Sequence, residues 1–180
     1  LGAHYLPVPG DDAYEVQDWL EELGVRQRAA GRWRYDERYL CHSPQERLYW
    51  QGNWHEGLLP VQGVSQRTLD QYALFEKLVG AAMGAARFAM PSIRVWQRTG
   101  QVPPSHAELD AQRFDHWLAS QGLDDEYLLW YLDYSCRDDF GAGLGRVSAW
   151  AGIHYFASRH GFHAPRLQLE HDSADEGEQV

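Results

Sequence analysis

Two neighbouring stretches concentrate the side chains that could do chemistry. C-R-D-D-F-G at 136–141 sets a thiol beside a guanidinium and two adjacent carboxylates, and S-A-W-A-G-I-H-Y-F-A-S-R at 148–159 adds Trp150, His154 and Tyr155. A neighbouring arginine favours the thiolate form of Cys136, but a lone Cys in an apolar helix also serves as a small buried group. Asp138 and Asp139 leave a helix end in different directions. One can cap the next turn or hold an arginine, while the other can face a cavity and attract a cation. Trp150 and His154 fall one helical turn apart on one face. That face is either a cavity wall or ordinary packing around a satisfied imidazole, and the residues alone leave both open.

Gly141, Gly143 and Gly145 invite a phosphate-loop reading, but the dinucleotide fingerprint needs its third glycine where Arg146 stands and a strand before it. The glycines therefore predict a turn between two helices. His154, His160 and His163 lack a companion Cys or carboxylate at ligand spacing, so no metal site is expected. A metal hydrolase using His154 and His163 is the weakest reading. No G-x-S-x-G elbow is present to support a serine hydrolase.

Local signals set out the elements that would hold these residues. A helix over about 12–23 is capped by Asp11 or Asp12 and stopped by Gly24. Short runs from Tyr35 to Glu56 predict two or three antiparallel strands. Ser65 opens a helix reaching about Phe88, in which Gly80 and Gly84 suggest close approach of another helix. Residues 89–104 predict a loop with one strand around Ile93–Trp96. Helices follow at Ala111–Ser120, at Asp125–Asp138 with Asp124 as its cap, and at Arg146–Arg159 before Gly161. The fold class is α+β, mainly helical, with a small antiparallel sheet at about 35–56. An extended segment (1–10), the helical body (11–165) and an acidic tail or linker (166–180) divide the chain.

Its 180 residues carry a formal net charge of −10, which argues against nucleic acid and anionic membrane surfaces as partners. Fifteen of the sixteen basic residues are Arg, a bias that reflects codon usage in a GC-rich genome more than chemistry. Eight Trp and ten Tyr can fill a core or form flat walls for a ligand. Cys41 and Cys136 imply no disulfide framework, and no apolar run is long enough to span a membrane. A cytoplasmic location is expected, with the periplasm open because an upstream signal would not be visible.

The 136–141 and 148–159 motifs closely resemble a segment of bacterial FAD-dependent oxidoreductases of the flavin amine oxidase type, including the spermidine dehydrogenase-like group. G-A-H-Y-L-P-V-P-G at 2–10 and Y-D-E-R-Y-L-C-H-S-P-Q-E-R-L-Y-W-Q-G-N-W-H-E-G-L-L-P at 35–60 carry the likeness further, over most of 1–163. The resemblance implies the substrate domain of a longer flavoprotein, with FAD held mainly by parts of the parent chain outside this segment. It implies Gly2, Ala3, His4 and Tyr5 as flavin-side residues. Asp138, Asp139, Trp150, His154 and Tyr155 then become substrate-pocket residues. The substrate implied is a small molecule, a cationic amine or a relative of one, oxidised by hydride transfer to flavin. The segment alone is expected to be inactive, and its partner is the remainder of the flavoprotein chain. From a different class, a non-catalytic helical interaction module would use the same aromatics as a protein-binding face.

Overall fold

A computed structural model describes residues 6, 8–9, 13–40, 46–97, 99–159 and 161–165. In chain order these form α1 (Tyr14–Glu22), β1 (Arg26–Ala29), β2 (Arg32–Tyr35), β3 (Arg47–Trp50), β4 (Asn53–Glu56), α2 (Gln66–Ala85), α3 (Arg94–Gln97), α4 (Pro104–Asp110), α5 (Phe114–Ser120), α6 (Glu126–Phe140) and α7 (Ala149–Ala157). The class is α+β, but with two separate two-stranded antiparallel sheets, β1–β2 and β3–β4. The second lies within the expected 35–56 region. The first lies upstream of it, where R-Q-R-A has no apolar alternation and R-W-R-Y has only two short repeats of it.

Helix α7 is the hub, packing against α2, α4, α5 and α6. Its mean hydropathy is the highest of the helices, and Gly152, Ile153, Phe156 and Ala157 are buried. Around it Tyr72, Phe75, Phe114, Leu118, Leu128, Leu132 and Val79 are almost fully excluded from water. Phe75, Phe156 and Phe162 meet edge to face, with centroids 4.9–5.6 Å apart. Aromatic pairs favour this geometry because the positive ring edge meets the negative face.

Helix ends follow their side chains. Ser65 accepts a hydrogen bond from Thr68 N at α2, and Ser148 accepts from Ala151 N at α7. Asp125, not Asp124, caps α6 by accepting from Tyr127 N and Leu128 N. Buried Asp125 also accepts from the Thr68 hydroxyl at 2.8 Å. The Gln71 side-chain oxygen accepts from the backbone N–H groups of both Asp124 and Asp125, and its amide nitrogen donates to Asp124 at 2.6 Å. Asp124 is thereby free of the capping role and also pairs with Arg67 at 2.5 Å. The starts of α2 and α6 are thus one hydrogen-bonded unit.

Several local expectations differ. The Ile93–Trp96 region is the short helix α3, and Pro103–Pro104 opens α4 because proline at a first helical position loses only an N–H with no intrahelical partner. The helix expected over 111–120 is therefore preceded by a separate turn of helix, with α5 itself starting at Phe114. Gly80 and Gly84 admit no close helix, since a Cβ at either would meet nothing within 4 Å. The capping carboxylates Asp11 and Asp12 lie outside the described residues.

Candidate functional site

Helix α6 ends in a left-handed Gly141 (φ 65°), whose N–H returns to the Arg137 carbonyl. The chain then turns through 141–148 and is stitched to the front of α5. Phe114 N donates to Val147 O, Asp115 N to Leu144 O, and Ala149 N to Gln112 O. Asp133, one turn before Arg137, accepts from Leu144 N at 3.0 Å and from Arg137 Nε at 2.5 Å. Burial pushes the Asp133 pKa up, but these two donors hold it below the ordinary carboxylate range. Gly143 is required here because a Cβ would stand 2.5 Å from Asp133 Oδ1. The glycines are a helix-to-helix turn, as their spacing implied. Above them lies a shallow depression of about 530 Å³ whose charged lining is Asp133, Arg137 and Arg146, the first two mutually paired.

The residues singled out in the sequence separate around α7 into two groups. Trp150 and His154 face a four-ring cluster with Phe88 and His106. Ring centroids lie 4.6 Å apart for Trp150–His154, 5.9 Å for His106–Trp150 and 4.3 Å for Phe88–His106. Tyr155 turns another way, with Arg159 4.4 Å over its ring and Asp139 pairing with Arg159 at 3.3 Å. Burial pushes the Tyr155 phenol up to about 12, so it stays protonated. Asp138 is exposed. Asp139 thus belongs with Tyr155 through Arg159, and neither carboxylate joins the Trp150 cluster.

The four-ring cluster has an unusual polar inventory. His154 Nε2 lies 3.0 Å from the Ala89 carbonyl. That contact places the proton on Nε2 and leaves Nδ1 as an acceptor, because a carbonyl can only receive. His106 is 1% exposed, yet neither of its ring nitrogens has a hydrogen-bond partner among the described residues, and the same holds for Trp150 Nε1. Buried polar atoms are paired in the great majority of cases. Three unpartnered polar atoms thus sit within one packed aromatic cluster. Burial, reinforced by His154, lowers the His106 pKa, and burial lowers that of His154 more than the Ala89 contact raises it. Both imidazoles are neutral near pH 7; His106 offers one donor and one acceptor, whereas His154, with its Nε2 proton engaged by Ala89, offers only the Nδ1 acceptor.

Sequence reasoning missed His106 and Phe88, which come from α4 and from the segment after α2. It also missed a second groove of about 290 Å³ between the β3–β4 hairpin, α6 and residues 161–165. Carboxylates of Glu46 and Glu56 line it beside Tyr131, Phe156, Phe162 and His163. His163 faces Glu76 at 3.8 Å. Cys136 is buried and its thiol is pushed up to about 12, so the adjacent Arg137 does not activate it; that guanidinium is engaged by Asp133.

Comparison with family models, with curated proteins and with solved structures gives no match. Among the described residues no three His, Cys, Asp or Glu side chains converge as metal ligands. No helix there is long and apolar enough to cross a membrane. For FAD, both sheets are antiparallel hairpins and the glycine turn follows a helix, so the described residues do not fit the adenine-diphosphate half of the cofactor. Gly2, Ala3, His4 and Tyr5 lie outside the described residues.

Proposed function

We propose that this chain is the substrate-binding portion of an FAD-dependent, amine-oxidase-like oxidoreductase. The flavin, held mainly elsewhere in a longer parent chain, supplies the acceptor for a hydride from a C–H bond next to an amine nitrogen. The observation that supports this reading most is the cluster of Trp150, His154, His106 and Phe88 with its three unpartnered polar atoms. It stands on the W-A-G-I-H motif that carries the resemblance. Flat aromatic walls suit a small organic substrate, and neutral imidazoles can hold a group in place without repelling a cationic amine. Asp139 acts at one remove, by fixing Arg159 over Tyr155.

Expression of the parent reading frame with its flanking sequence tests this. The purified protein is expected to be yellow, with flavin absorbance near ~450 nm, a property of flavin itself. Trp150→Phe and His106→Leu in that parent are expected to slow reduction of bound flavin by amines while leaving the flavin content unchanged. A colourless parent that takes up no added FAD would sink the assignment.

A second reading, a non-catalytic interaction module, is favoured by one observation. Trp54 (68% exposed) and Tyr49 (61%) contact each other at a tilt, centroids 5.2 Å apart, on the β3–β4 hairpin, away from the core. A parent that binds no flavin but retains a stable partner through this hairpin would support it.

A further inference from the structure

Residues 26–38 hold five of the sixteen basic residues and only two of the 26 acidic ones. The remainder of the chain is therefore more acidic than the whole, and this hairpin is a positive island on a negative body. The charge is presented on β1 and β2 in a defined way. Arg26 is spent internally. It is 6% exposed, donates to Gln17 at 2.9 Å, pairs with Glu21 of α1 at 3.4 Å and stacks on Trp33 at 3.7 Å. These contacts fix the hairpin to α1, which packs against β1. Arg38, just beyond β2, is engaged by Asp36 at 2.5 Å. Arg28, Arg32 and Arg34 remain exposed, with no carboxylate partner among the described residues.

Register decides what these arginines can meet. Gln27 stands opposite Arg34 and Ala29 opposite Arg32, so Arg32 and Arg34 share one face of the hairpin. Arg28 stands opposite Trp33, on the other face. Among the described residues, strand β2 has a second strand on one side only, which leaves backbone donors and acceptors along its outer edge. We propose that this edge of β2 docks an extended acidic segment of a partner protein. Carboxylates at alternate positions would meet Arg32 and Arg34, and the apolar residue between them would lie toward Trp33.

The observations favour a short peptide over a nucleic acid. A long polyanion would bring many charges against an acidic body, whereas a paired strand gains backbone hydrogen bonds and needs only two or three local ion pairs. The proposal is independent of flavin chemistry, so it stands or falls separately from the oxidoreductase reading.

The test is fluorescence anisotropy with a labelled alternating Glu-Leu peptide and the full 180-residue chain. A scrambled peptide of the same composition and a single-stranded oligonucleotide of equal charge serve as comparisons. Saturable binding is expected for the alternating peptide, weakening between about 50 mM and about 300 mM salt as screening shortens. Arg32→Gln and Arg34→Gln are each expected to weaken it roughly two- to fivefold, as for loss of one cross-strand charge pair. Arg146→Gln, distant from the hairpin in sequence, should leave it unchanged. The β2 amides should also gain hydrogen-exchange protection. Absence of binding, equal binding by the arginine variants or the scrambled peptide, or tighter binding of the oligonucleotide would each overturn the proposal. Because Arg32 and Arg34 are exposed, circular dichroism of the variants should match the parent, separating lost docking from lost folding.

Discussion

Glycine to alanine should have opposite signs at two places in this chain. At Gly152, inside α7, an added Cβ would lie 2.2, 2.3 and 2.7 Å from three ring carbons of Phe114. Those distances are far below van der Waals contact, so the ring must move by roughly 1 Å or more, as a carbon–carbon optimum of about 3.5–4.0 Å requires. It has nowhere to go. Phe114 is completely buried, its ring stacks on Trp117 at 6.0 Å, and its backbone is held by Val147 O. Overpacking of a filled core costs about 1–3 kcal/mol, contacts this short put Gly152 at about 2–3 kcal/mol of that range, and the better helix propensity of alanine returns about 1 kcal/mol. The net loss is about 1–2 kcal/mol, or roughly 2–8 °C in Tm for a chain of this size. At Gly80 or Gly84, on the open side of α2, the same substitution meets nothing within 4 Å. Each should gain about 0.5–1 kcal/mol from backbone entropy alone. Thermal and urea unfolding of the three variants measures the contrast. Phe114→Leu combined with Gly152→Ala should cost less than the sum of the two, because the smaller side chain relieves the clash. A Gly152→Ala protein as stable as the parent would refute the packing of α5 on α7.

Acid should destabilise the fold through its buried imidazoles. The His106 and His154 pKa values are lowered in the folded state, so below about 6.5 the unfolded chain binds more protons and stability rises with pH. This contribution is complete above the unfolded value and is lost as pH falls through the folded values. His106→Phe should flatten the fall in urea midpoint across that window; an unchanged slope would place the titration elsewhere. Cys136 should resist thiol reagents in the native state and react at a rate set by unfolding, measured by labelling against denaturant. Asp125→Ala should cost about 1–2 kcal/mol by removing a buried cap. Asp124→Ala should cost less, because its ion pair with Arg67 is exposed at both ends. Reversal of that order in unfolding midpoints would refute the capping assignment.

Local chemistry was legible where it is enforced by one or two residues. Ser65 and Gly24 mark ends that the chain itself dictates, and Gly141 and Gly161 take positive φ where a helix must stop. Distinguishing Asp124 from Asp125 as a cap required knowing that Gln71 and Thr68 arrive from another helix. The β1–β2 hairpin was invisible because its residues face water on most sides and its turn begins with Ala30 at φ 51° instead of a glycine or asparagine. The polar cluster was half legible. Trp150 and His154 share a face by helical period, but His106 meets them across 44 positions of chain, through tertiary packing that no local pattern encodes. Arg137 beside Cys136 suggested a reactive thiol, and its partner one turn back, Asp133, removes that possibility.

The unit formed by Thr68, Gln71, Asp124 and Asp125 has a consequence for how the chain becomes ordered. Each helix caps its own first turn, but Thr68 and Gln71 of α2 also hold the Asp125 carboxylate and the two N–H groups that lead into α6, more than fifty positions later. These bonds tie the two N-termini together, so the helices should open as one cooperative block. Their amides should exchange with a common opening free energy, while the hairpin edges exchange ahead of them.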